Sequence, residues 1–121
     1  MTSLGARFAA AVAAKDPDAV RAVVARDVDF LGLTPRRSWE ASSADDLVAV
    51  LGQWFEPQDR VDEVEEVVEA APVVDTHHVS YRLRLTTPDG PHEVAQQAYY
   101  RTDGDRIAYL RVMCSGFRPL G

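Results

Sequence analysis

Residues able to take part in chemistry concentrate in the second half of the chain, where tyrosine and glutamine alternate with aliphatic side chains. Gln96 and two tyrosines, Tyr81 and Tyr100, fall on neighbouring predicted strands, and the glutamine amide can bind a carbonyl or enol group. Either phenol could act as a weak acid if its surroundings lowered its pKa. Neutral groups of this kind suit a mostly apolar ligand held by few hydrogen bonds. The predicted ligand-binding set is Trp39, Trp54, Tyr81, Gln96, Tyr100 and Cys114.

The same side chains fit a second interpretation, in which they are part of the core. Buried tyrosines commonly satisfy their hydroxyl groups with local partners, and both tyrosines could do so here. A nucleophilic role for Cys114 needs a base beside it, and no inward histidine is predicted there. Packing as a small apolar residue is therefore the expected role of this cysteine.

The three histidines do not predict a metal site. His77 and His78 are adjacent, so on a strand they point to opposite faces and cannot readily share one ion. His92 falls in a predicted turn. No phosphate-binding glycine loop or dinucleotide fingerprint is present in the sequence, so we expect neither a metal nor another cofactor.

Composition and charge narrow the classes of partner. The 121 residues are 46% hydrophobic, which predicts a single domain over residues 1–121. With 13 basic against 19 acidic residues the net charge is −6, which argues against nucleic acid as a partner. No apolar run approaches the roughly 20 residues of a membrane span, and no signal-peptide pattern opens the chain. We expect a cytoplasmic protein without a membrane partner.

Three helices are predicted in the first half. Apolar residues recur at helical spacing from Leu4 to Ala14, and Asp16-Pro17-Asp18 supplies the cap, first-turn proline and carboxylate of a second helix through Val24. A short strand is predicted around Val28 to Leu31. Ser43 and the two aspartates after it begin a third helix, which Pro57 stops.

The second half reads as sheet. Val79 to Thr86 alternates apolar and polar residues, and strands from Val94 to Thr102 and from Ile107 to Cys114 follow after turns, so an antiparallel meander is predicted. Arg60 to Ala71 is ambiguous, because its valines recur at helical spacing. We predict a strand there, since the sheet would otherwise have a long uncovered edge.

This order of elements resembles the nuclear transport factor 2-like superfamily over nearly the whole chain. The resemblance is carried by residues 16–20, residues 34–39, and the run from Gln96 through Tyr100 to Phe117, and it is strongest to uncharacterised actinobacterial members. It implies an α+β fold in which a cone-shaped, curved antiparallel sheet wraps around three N-terminal helices. The superfamily spans SnoaL-like and ketosteroid isomerase-like enzymes, transport factors and members without chemistry, so the fold does not fix the function.

The cone implied by the resemblance assigns sides to the strands. Its inner face lines a pocket, and its outer face often makes a homodimer. Tyr99, Tyr109 and Arg111 are expected on the outer face, where tyrosine and arginine favour an interface, although an ordinary solvated sheet face is the alternative. The residues expected to face inward are Val79, Tyr81, Leu83, Leu85, Gln96, Ala98, Tyr100, Leu110, Val112 and Cys114. Those expected to face outward are Ser80, Arg82, Arg84, Gln97, Tyr99, Tyr109, Arg111 and Met113.

The chain departs from the isomerase pattern at the decisive positions. Ketosteroid isomerases pair an aspartate base with an oxyanion hole made of a tyrosine and a protonated acid. Gly32 or Leu33 aligns with the base and Ala98 with the acid, and no inward strand position is expected to offer a carboxylate. Three functions stay open: an enzyme acting through Tyr81, Gln96 and Tyr100, a ligand-binding domain without turnover, and an interaction domain that self-associates through the outer sheet face.

Overall fold

The computed structural model describes residues 2–120, which form three helices and a seven-stranded sheet. The side chains of Ser3, Asp16 and Ser43 accept hydrogen bonds from backbone N–H groups in the first turns and so begin the helices. Pro17 stands at the first helical position of the second helix, where its missing N–H costs nothing. The helices are α1 (Leu4–Ala14), α2 (Pro17–Val23) and α3 (Ala44–Trp54).

The sheet is curved and does not close, and the helices pack against it. Along the sheet the strands follow the order β2-β1-β6-β5-β4-β3, and the short β7 pairs with β5. The strands are β1 (Val24–Thr34), β2 (Arg37–Ala41), β3 (Arg60–Val73), β4 (Thr76–Thr87), β5 (Gly90–Asp103), β6 (Arg106–Cys114) and β7 (Arg118–Pro119). The predicted α+β cone with three helices is confirmed.

The first part of the sheet is larger than the sequence pattern predicts. The predicted short strand around Val28 to Leu31 is an 11-residue strand that begins where α2 ends, and Trp39 lies on a separate strand, β2, after the turn at Pro35 and Arg36. Strand β1 also pairs in parallel with β6, so the sheet is mixed. A parallel pairing needs a long crossover, and here the crossover comprises β2, α3 and strands β3, β4 and β5.

The segment from Arg60 to Ala71 is a strand, as predicted. It pairs antiparallel with β4 and forms the outermost strand beyond the meander. Its pairing shifts register between Val61 and Glu63, between Glu65 and Val68, and between Ala70 and Val73. Each irregularity bends and twists the strand, which helps the sheet curve around α1.

The predicted sides of β4, β5 and β6 are confirmed. All ten residues expected to face inward are buried, including Gln96, which is 1% exposed. The eight residues expected to face outward are exposed or half-buried, and Tyr99 and Met113 are the large apolar side chains among them that remain exposed. Within the described part of the chain, no helix combines the length and the apolar character needed to cross a membrane.

Candidate functional site

Three of the predicted site residues form one buried hydrogen-bonded row across the sheet. Tyr81 on β4, Gln96 on β5 and Cys114 on β6 are cross-strand neighbours facing the core. The Tyr81 hydroxyl donates to Oε1 of Gln96 over 2.6 Å, and the Gln96 amide nitrogen lies 3.4 Å from Sγ of Cys114. The row therefore satisfies most of its own polar groups, as the core interpretation of these residues requires.

The electrostatics of this row oppose acid–base chemistry. Burial raises the pKa of the Tyr81 hydroxyl above its ordinary value, and the neighbouring Cys114 acts in the same direction. A phenol that resists ionisation to this degree is a hydrogen-bond donor and not a proton-transfer group near neutral pH. Cys114 is buried, and its neighbours in the row are an amide and a phenol, neither of which is a base.

Tyr100 belongs to a different group at the N-terminus of α1. Its hydroxyl accepts a hydrogen bond from the backbone N–H of Gly5 over 3.0 Å and donates one to Glu69. The other carboxylate oxygen of Glu69 accepts from the Ser3 hydroxyl over 3.0 Å. Burial raises the pKa of Tyr100 to about 12, and the hydrogen bond to Glu69 adds to the effect.

Glu69 corrects the expectation that no inward strand position offers an acid. It pairs with Val79, which is fully buried, so its side chain is on the inner side of β3, although the residue is exposed at the sheet's edge. The register shift between Glu65 and Val68 changes which residues of β3 face inward. The shift could not be read from the spacing of the valines, and that spacing was the only signal in the sequence.

The two tryptophans meet at the end of α3. Their ring centroids are 6.2 Å apart with the planes nearly perpendicular, and Phe30 lies 6.0 Å from Trp54 on another side. The indole N–H of Trp39 donates to Thr34, and the guanidinium of Arg37 stacks on the Trp39 ring. Trp39 is therefore fully partnered.

Trp54 differs from Trp39 because its indole nitrogen is buried and has no hydrogen-bond partner among residues 2–120. Its ring lies against the bare backbone of Gly32, where a Cβ atom would come within 2.7 Å of Cη2 and Cζ2. The resemblance aligns the isomerase base with Leu33 or with Gly32. A tryptophan thus fills the space into which a side chain at position 32 would project.

A cleft of about 370 Å³ lies beside Trp54, between the end of α3 and the β4–β5 turn. We call it the mouth cleft. It is lined by Gln53, Trp54, Glu56, Gln58, Asp59, Thr87, Pro88, Asp89, His92 and Phe117. Tyr81, Gln96, Tyr100 and Cys114 do not line this cleft, so the predicted set separates into a buried row, an anchor at α1 and a pair of tryptophans.

The outer face of the sheet carries stacked aromatic and cationic groups. Tyr109 lies between the guanidinium groups of Arg101 and Arg111, at 4.5 and 4.0 Å from its ring centroid. His78 stacks on Tyr99 on this face, whereas His77 stacks on Tyr100 on the inner face. The adjacent histidines therefore point to opposite sides, as predicted. Among the described residues, no three metal-ligating side chains are grouped.

Comparison with known proteins supports the fold. Neither a family model nor a curated protein sequence matches this chain. A protein provisionally assigned as an isomerase from Rhodopseudomonas palustris aligns with a TM-score of 0.74 and 13% identity, covering 96% of this chain and 92% of its own. A hypothetical protein with a ketosteroid isomerase-like fold from Catenulispora acidiphila, solved with trimethylamine, aligns with a TM-score of 0.73 and 16% identity. The alignment covers 94% of this chain and 88% of that protein. An LEH-like epoxide hydrolase from M. tuberculosis aligns with a TM-score of 0.66 and 15% identity, covering 90% of this chain and 77% of that protein.

These likenesses agree with the element order, the curved sheet and the helices packed against it. The chain has the nuclear transport factor 2-like fold, as the sequence predicted. At 13 to 16% identity the likeness concerns the fold, so function has to be argued from the side chains of this chain.

Proposed function

We propose that the protein binds a small, mostly apolar molecule at the mouth cleft and that the buried tyrosines of the cone take no part in converting it. The observation that carries this proposal is that the indole N–H of Trp54, a residue lining the cleft, is buried without a hydrogen-bond partner among the described residues. An unpaired buried donor costs about 1–3 kcal/mol. A ligand that supplies an acceptor forms the missing hydrogen bond, which removes this cost and favours binding.

The mouth cleft combines aromatic surface, which suits a flat ligand, with polar side chains that include the carboxylates of Glu56, Asp59 and Asp89. Trp54 and Phe117 offer aromatic surface, and His92 lies 6.2 Å from the Phe117 ring, while Gln53 and Thr87 offer polar groups. A volume of about 370 Å³ lies within the usual range for small-molecule sites. Because the indole nitrogen is covered, the Trp54 ring must turn for the ligand oxygen to reach it.

The raised pKa values of the two buried tyrosines argue against acid–base chemistry by these residues inside the cone. The pKa values of Tyr81 and Tyr100 are raised, which removes both phenols from proton transfer near neutral pH. The resemblance aligns Gly32 or Leu33 with the base of the isomerases and Ala98 with their acid. The carboxylate of Glu69 accepts hydrogen bonds from Ser3 and Tyr100 at the N-terminus of α1, and Glu69 does not line the mouth cleft.

Acetylnaphthalene and ethylnaphthalene test the proposal, because they share a shape and only the first has a carbonyl. In a Trp39→Phe background, Trp54 is the only tryptophan, and its fluorescence reports binding. We expect acetylnaphthalene to bind about tenfold more tightly, as expected for one hydrogen bond of about 1.4 kcal/mol. Replacing Trp54 by phenylalanine should abolish this preference, with binding then followed by NMR.

Equal affinity for the two compounds, or no binding of either, contradicts the proposal. The effect of Gln96→Leu on affinity distinguishes a ligand at the mouth cleft from one inside the cone. A site at the mouth is unaffected by this change, whereas a site inside the cone that uses the Gln96 amide is weakened. Circular dichroism of each variant checks that the fold is intact.

Self-association through the outer sheet face is the second candidate function. It is favoured by the exposed side chains of Tyr99 and Met113, 41% and 58% exposed, beside the Arg101–Tyr109–Arg111 stack. Tyrosine, methionine and arginine are enriched in interfaces, and the stack fixes long side chains in advance. Analytical ultracentrifugation tests it: we expect a dimer that Tyr99→Asp dissociates and that Ala49→Asp, on the exposed side of α3, leaves intact. A monomeric wild-type protein at millimolar concentration contradicts it.

A further inference from the structure

A second, smaller cleft lies between the three helices, outside the mouth cleft. Its volume is about 100 Å³ and its surface is mainly apolar. We call it the helix cleft. It is lined by Ala11, Val12, Lys15, Asp16, Pro17, Val20, Val48, Leu51, Gly52 and Phe55. Gly52 and Phe55 mark the side of α3 that faces it, so the cleft is separate from the mouth cleft and the buried row.

Gly52 contributes no side chain to the lining of the helix cleft. It lies within α3, where glycine is unfavourable by about 1 kcal/mol relative to alanine. A Cβ atom built on Gly52 meets nothing within 4 Å, so packing does not require glycine at this position. The open space beside the helix is therefore available to an apolar group from outside the chain.

One charged residue of each sign lies at the rim. The Lys15 ammonium donates to the backbone oxygens of Glu56 and Asp59, at 2.7 and 2.6 Å, which leaves one of its three N–H groups unused within residues 2–120. Asp16 caps α2 through Oδ1, which accepts from the N–H groups of Asp18 and Ala19. Its Oδ2 accepts no hydrogen bond in the described part of the chain.

We propose that the helix cleft binds a small neutral alcohol with a branched hydrocarbon chain. A hydroxyl group both accepts and donates hydrogen bonds, so it suits a rim that offers the third N–H of Lys15 and the Oδ2 atom of Asp16. The rim carries no net charge, which favours a neutral ligand over an ion. An enclosed apolar cavity of about 150 Å³ holds one benzene molecule. A cleft of about 100 Å³, open on one side, accommodates a branched chain with its hydroxyl at the rim.

Isoamyl alcohol is the probe. Isoamyl methyl ether is the control, because it has the same branched chain and an acceptor oxygen but no hydrogen-bond donor. Titration of the full chain with each compound, followed by amide NMR shifts, should show saturable changes at Val20, Leu51 and Gly52. We expect the ether to bind about tenfold more weakly, because it cannot donate to Asp16. Isovalerate, with the same carbon skeleton and a negative charge, should bind more weakly than the alcohol.

Gly52→Leu fills the cleft and should remove the shifts, while Ala49→Leu, on the exposed side of α3, should leave them unchanged. Gly52→Leu raises helix propensity and Ala49→Leu lowers it only slightly, so loss of the helix does not account for a difference between them. Saturable shifts confined to the mouth cleft overturn the proposal. So does equal binding by the ether, or binding that survives in Gly52→Leu.

Discussion

The hydroxyl of Tyr100 and the backbone N–H of Gly5 lie 3.0 Å apart, which joins β5 directly to the first turn of α1. The approach is close because residue 5 has no side chain. A Cβ atom there would lie 2.7 Å from Cε1 of Tyr100 and 2.8 Å from both its hydroxyl and Oε2 of Glu69. Because the φ of Gly5 is not positive, its backbone conformation does not require glycine. The contact requires glycine for space alone.

Gly5→Ala should lower the free energy of unfolding by about 1–3 kcal/mol, because the methyl group forces Tyr100 or α1 to move. Urea denaturation followed by circular dichroism measures the change. Gly52→Ala is the control, since its methyl group enters open space and alanine favours the helix. The control should be neutral or more stable than the wild type. Equal losses in both variants would show that crowding at Gly5 is unimportant.

The Tyr81–Gln96 hydrogen bond gives a prediction of coupling. Tyr81→Phe leaves Oε1 of Gln96 without its donor, and Gln96→Leu leaves the Tyr81 hydroxyl without its acceptor, so each should cost about 1–3 kcal/mol. The double variant leaves neither group unpaired. Its loss of unfolding free energy should be smaller than the sum of the two single losses by about 0.5–3 kcal/mol. Additive losses would mean that the two groups do not depend on each other.

Tyr100 should make stability fall at alkaline pH. Burial raises its pKa from 10.0 to about 12, so between these values the native state holds a proton that the unfolded state has lost. The free energy of unfolding therefore decreases as pH rises through this window and is unaffected by this group below it. Tyr100→Phe should show a shallower decline in urea denaturation. Tyr99→Phe, at an exposed tyrosine, should follow the wild type, and a matching change there would remove the assignment to Tyr100.

Gly32 and Trp54 should be coupled through space. Gly32→Ala places a methyl group 2.7 Å from two ring atoms of Trp54 and 2.8 Å from Cζ of Phe30. We expect a loss of about 1–3 kcal/mol and altered tryptophan fluorescence, because the indole must move. Adding Trp54→Phe should recover part of the loss. If the double variant is as unstable as the sum of the single changes, the clash with Trp54 is not its cause.

Local patterns in the sequence predicted the helices and the meander well, because their signals need no knowledge of distant contacts. Capping residues stand at the predicted helix starts, and the alternation from Val79 to Thr86 matches the burial along β4. The ambiguous β3 shows the limit. Its register shifts insert extra residues into a period-2 strand, so its valines imitate a helical repeat. Only the need to cover the sheet pointed to a strand.

The candidate site was predicted less completely, because contacts between distant elements decide it. Inward positions on the strands were predictable from alternation, and Tyr81, Gln96 and Cys114 adjoin as a result. The unpaired nitrogen of Trp54 depends on how the end of α3 packs against β1, which sequence periodicity does not encode. Glu69 was missed for the same reason, since its side of the sheet depends on a register shift.

The position of β6 in the sheet has a consequence for the order in which the chain folds. It lies between β1 and β5, and Arg111 on β6 donates to Asp29 on β1 across 82 positions of sequence. During synthesis, β1 and β2 emerge early, and β3, β4 and β5 form a separate group of paired strands. Neither can join the other until β6 has left the ribosome. Until then, the edges of β1 and β5 that pair with β6 are unpaired and can pair with other chains, which favours aggregation. The pairing of β1 with β6 joins residues far apart in the sequence, and contacts of this kind make folding slow.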